Sequence, residues 1–191
     1  MKKWLYFISS ILFVLFVHYY IVSVLLDLVG MTNTLLQVIV ACIEVVFVYD
    51  AIMFFTKNWT VGHRVLLFFV YYLFLIIALL VRYDQGVSMI QLNPLACIRE
   101  VYYGSWIERL IMLFNVGYFM FMPWVNGLFV RKDKENFILS VCVGFGCEFL
   151  QLIFHRGVFD VGDITLYVLG ILLGLYIKRI YHEKKGMMTS L

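Results

Sequence analysis

Between Glu148 and Asp163 the chain places six groups able to carry charge or strong hydrogen bonds: Glu148, Gln151, His155, Arg156, Asp160 and Asp163. They begin inside a long apolar run. An ionisable group near the centre of a bilayer costs about 3 kcal/mol on insertion scales, so it turns towards a protein interior or a wet cavity. At about 100° per residue, helical steps of three and four return to nearly the same face, so Glu148, Gln151 and His155 are expected on one protected face. Two readings fit this pattern. One is a polar pin between helices; the other is an outward-opening pocket where Glu148, Gln151, Arg156, Asp160 and Asp163 converge on a ligand, with Arg82 as a further cation at the rim. Helix capping would account for Asp163 alone.

The elements that position these groups follow from composition. Of 191 residues, 64% are hydrophobic and 14% charged, which excludes an ordinary soluble domain. About 20 apolar residues cross a bilayer as a helix. Six such runs are expected at about 4–26, 35–56, 65–81, 107–130, 137–154 and 164–180. The runs are continuous rather than alternating, so the fold class is an all-α integral membrane protein of about six transmembrane helices, not a β-barrel. The first run has the positive head of a signal peptide, but its apolar part is too long and no cleavage site follows. With the N-terminus inside, eleven of the fifteen Lys and Arg lie on the cytoplasmic side, leaving Arg82, Arg99, Arg109 and Arg156 outside. Both termini are therefore predicted cytoplasmic. Basic residues at helix ends reflect topology and give no reason to expect nucleic acid.

No internal repeat or linker divides the chain, so 1–191 reads as a single transmembrane domain with one long external loop, 82–106. Its aromatic and apolar residues beside Arg99 and Glu100 suit the outer headgroup region, either as an interfacial anchor or as part of a site. Of the four cysteines only Cys97 falls in this loop; a disulfide framework is not expected, and Cys97 is a candidate for labelling from outside.

In the second run, a proton relay through Glu44 and a packing role both fit, while Asp50 is expected to reach the cytoplasmic headgroups. Pro123 should kink its helix or free a carbonyl, Asn126 should pack, and Gly170 with Gly174 should let helices approach closely. There is no HExxH, GxSxG or P-loop, and no spacing suited to a metal or cofactor.

The run CEFLQLIFHRGVFDVGDITLYVLGILLG resembles the signature of the VanZ-like family, with Glu148, Gln151, Arg156, Phe159, Asp160, Asp163 and Gly170 in its places. LNPL, with Asn93 and Pro94, and FNVGYFMFMPW, with Asn115, Gly117 and Pro123, agree with two further family segments, so the resemblance covers about residues 64–180. Tyr167 stands where the family usually has Asn. The resemblance implies a bacterial plasma-membrane protein connected with resistance to teicoplanin-type glycopeptides. It adds Asn93 and Asn115 to the candidate ligand-binding set, to which the external loop contributes Arg99, with a lipid, a lipid-linked cell-wall precursor or a lipoglycopeptide as partner. A membrane enzyme acting on a lipid-linked wall or phospholipid substrate is the alternative, and nothing in the pattern sets an oligomeric state.

Overall fold

A computed structural model describes residues 2–28, 31–80, 90–155 and 158–188. The chain forms two compact units, 1–83 and 84–191.

Among its described residues the first unit holds three helices: α1 (Lys2–Leu28), α2 (Thr34–Phe55) and α3 (Val61–Leu80). Within α1 the turn His18–Val22 is π-helical. Asn33 starts α2 by accepting from the backbone N–H groups of Leu35 and Leu36, two of the donors every helix start leaves open. Lys57, at φ 58°, adopts the left-handed conformation that turns the chain towards α3. Leu36, Val40 and Ile43 repeat at helical spacing along α2 and pack with Met31 and Ile77.

The second unit comprises β1 (Ile90–Gln91), α4 (Ala96–Tyr103), α5 (Trp106–Asn126), α6 (Asp133–Ile153), β2 (Phe159–Asp160) and α7 (Val161–Met188). Ser105 and Glu108 form a reciprocal capping box at the start of α5. Gly170 and Gly174 lie directly against α5: a Cβ at these positions would stand 2.4 Å from the Val116 carbonyl oxygen and 2.1 Å from that of Met120. The expected close approach is therefore real, and it joins α7 to α5. Near the other end of α5, Asn126 donates to Ser140 at 3.1 Å, Ser140 donates to the Asn136 carbonyl at 2.8 Å, and Asn136 donates to the Pro123 carbonyl at 2.8 Å. This buried, neutral network ties α5 to α6 and gives Asn126 its packing role.

Among the described residues, α1, α2, α3, α6 and α7 are long and apolar enough to cross a membrane. The run expected at 107–130 also forms a helix, α5, but it carries Glu108, Arg109, Asn115, Pro123 and Asn126 and is not one of these five. Its 21 residues still extend about 31 Å at 1.5 Å each.

Candidate functional site

Glu148 lies on the last two turns of α6 and is fully buried. Burying a carboxyl group is tolerable only when its oxygens find donors. The Tyr167 hydroxyl, from α7, donates to Oε1 at 2.5 Å, and the Asp160 backbone N–H donates to Oε2 at 3.2 Å. Tyr167 is itself held by a stacked Phe119 ring from α5, with centroids 4.0 Å apart. Gly144 gives the two rings room, since a Cβ there would stand 3.2 Å from Tyr167 and 3.3 Å from Phe119. The phenol in place of the family Asn thus hydrogen-bonds Glu148 directly.

Four further side chains join this end of the unit. Gln151 is buried one turn beyond Glu148 on α6. Asn115, fully buried on α5, donates to the Asp163 carboxylate at 3.0 Å. Asp160 stands just before α7 and accepts from the Gly162 N–H at 2.6 Å. Capping therefore belongs to Asp160, while Asp163, in the first turn of α7, reaches across to α5.

Part of the long loop is fastened beside these groups. Gln91 on β1 is paired in parallel with Asp160 on β2, and Ile90 with Phe159. Asn93 accepts from the Leu95 N–H at 3.0 Å and so shapes the turn into α4. Arg99 is exposed on α4, as are Ile98, Val101 and Tyr102. Glu100 is drawn nearer: burial raises its carboxyl above the usual range, and the charges of Asp163, Asp160 and Glu108 raise it further. Burial also raises Asp160, against the lowering effect of the Gly162 and Asp163 N–H groups.

Several expectations need correction. His155 does not share the face of Glu148 and Gln151, because α6 ends at Ile153 and His155 follows it in a left-handed conformation, φ 55°, exposed. Cys97 is only 8% exposed, clustered with Met112 and Leu166, and burial raises its thiol, so it is a poor target for an aqueous reagent. In the first unit, Asp50 is 2% exposed and bonds His63 at 2.7 Å instead of reaching headgroups. Arg82 and Arg156 lie outside the described residues.

Together the helices and the buried polar cluster define a multi-pass, largely helical membrane protein whose C-terminal unit gathers carboxylate, amide and phenol groups from α5, α6 and α7. Residues 65–182 match the VanZ/LLP1 family, and the chain belongs to it. No curated protein and no solved structure matches the chain.

Proposed function

We propose that the cluster around Glu148 is an outward-facing site that binds a lipid-linked or lipidated ligand and so lowers susceptibility to teicoplanin-type glycopeptides, in keeping with the family. The supporting observation is the convergence of Glu148, Gln151, Asn115, Asp160 and Asp163 beside a segment that exposes Ile98, Tyr102, Tyr103 and Trp106. Acceptor groups suit the hydroxyls, amides and amines of a headgroup, and exposed aromatic rings suit the interface where such a headgroup lies. Six crossings, α5 included, with both termini cytoplasmic would put this end on the outer face, where lipoglycopeptides meet wall precursors. Arg99 and Arg156 are the cations of this unit proposed to complete the site.

Binding ranks ahead of catalysis, because both Glu148 oxygens already accept hydrogen bonds, one from the Tyr167 hydroxyl and one from the Asp160 N–H. Glu148→Gln, Asp160→Asn and Arg156→Ala are each expected to abolish resistance in cells while the protein stays in the membrane at normal levels. Unchanged resistance in all three would remove the site. Incubating the protein in nanodiscs with lipid-linked wall precursors, read by mass spectrometry, separates the classes: stoichiometric retention fits a binder, product accumulation an enzyme.

A further inference from the structure

The first unit contains polar groups that the cluster around Glu148 does not use, and most of this unit precedes the segment matched by the family. Three side chains of α2 bond to another helix. Gln37 donates to Asp27 of α1 at 2.9 Å, Glu44 bonds His18 of α1 at 3.0 Å, and Asp50 bonds His63 of α3 at 2.7 Å. At 1.5 Å per residue the three levels are separated by about 10 Å and about 9 Å along α2, and together they span about two thirds of a 30 Å hydrocarbon core.

Each level costs insertion energy that apolar packing would avoid, and a single pair would suffice to pin α1 to α2. The middle level has a second peculiarity: His18 opens the π-helical turn of α1, and π-bulges occur frequently at functional sites. The third level has its own. Asp50 Oδ2 is buried and has no hydrogen-bond partner among the described residues, so one oxygen of this carboxyl group is open to a proton or a water. Near that level the Tyr49 ring lies 5.6 Å from the His63 ring, and Arg64 stands 5.6 Å from the Trp59 ring centroid.

We propose that α1–α3 form a proton path, entered or left through Asp50 and His63 at one end, carried by Glu44 and His18 at mid-membrane, and opening beside Gln37 and Asp27 at the other. A His–carboxylate pair holding one proton more is net neutral, and without it carries one negative charge. Each step breaks one O–H or N–H bond as the next forms, so one proton enters for each that leaves. Water must bridge the intervals, about three molecules in each at hydrogen-bond spacing.

The test is proton uptake into vesicles of phosphatidylethanolamine and phosphatidylglycerol containing the full-length protein, driven by a potassium-diffusion potential and read by an entrapped pH dye. Wild-type protein should acidify the lumen faster than protein-free vesicles. Glu44→Gln and His18→Gln should each return the rate to that baseline, and Glu44→Asp should restore part of it. Glu148→Gln should conduct like the wild type, which separates this path from the binding site. Monodisperse gel filtration of each variant establishes that it is folded. Wild-type protein at the protein-free rate would overturn the proposal, as would undiminished flux in Glu44→Gln or equal loss in Glu148→Gln.

Discussion

Tyr167 carries more of the C-terminal unit than its one hydroxyl suggests. Its oxygen holds Glu148, and its ring fills the space between Phe119 and Gly144. Tyr167→Phe keeps the stack and removes only the donor, so it isolates the hydrogen bond. The expected loss is about 1–2 kcal/mol, between the value of a bond to a charged group and the smaller gains measured inside membranes. A double-mutant cycle with Glu148→Gln, measured by unfolding in mixed micelles, checks it: the two losses should be clearly non-additive. Glu148, Gln151, Asp160 and Asp163 were legible in the sequence because charge amid apolar residues demands a partner. Phe119 and Gly144 were not, since nothing in one chain tells a residue that positions a phenol from any other apolar or small residue. The pairing of His18 with Glu44 does carry a signal in the sequence. Residues equidistant from the turn of a helical hairpin face one another, and His18 and Glu44 stand thirteen either side of residue 31, as Asp27 and Gln37 stand five either side of residue 32.

At the scale of elements, α5 and α7 form the tightest joint in the second unit. Gly174→Ala would drive a methyl group into the Met120 carbonyl, and the flexible end of a side chain cannot yield there because the obstacle is backbone. The helices must part, at a cost of about 1–3 kcal/mol or more. Gly146→Ala meets nothing within 4 Å, so it should be neutral or gain up to about 1 kcal/mol from helix propensity. Thermal unfolding of both variants in the same detergent should separate them in sign. Sequence periodicity located all the long helices to within a few residues at most ends. Placing His155 on the face of Glu148 and Gln151 carried the helical pattern two residues past Ile153, where the backbone has already turned. The short pairing of β1 with β2 was illegible, being two residues long and formed across the whole of α5 and α6.

For the whole molecule, the proposed topology places α4 outside and the segment before α6 inside. Since Cys97 is buried, engineered cysteines must report on it: Tyr103 is 87% exposed and Lys134 lies in the first turn of α6. In intact cells an impermeant maleimide is expected to label Tyr103→Cys and to leave Lys134→Cys unlabelled until the membrane is permeabilised. The reverse pattern would invert the chain and place the Glu148 cluster on the cytoplasmic side. Hydropathy made the membrane class plain from composition alone, but the sixth crossing rests on α5, where buried amides trade apolarity for helix-to-helix bonds.

The π-helical turn in α1 has one more consequence. A wider turn accommodates an additional residue, so the helix on either side of His18–Val22 is out of phase with a straight α-helix by about 100°. Ser10 and Val14, buried before the turn, therefore need not fall on the stripe that an uninterrupted count from Val22 or Leu26 would trace. The turn acts as a vernier: it sets the rotational register of the first crossing independently of its length.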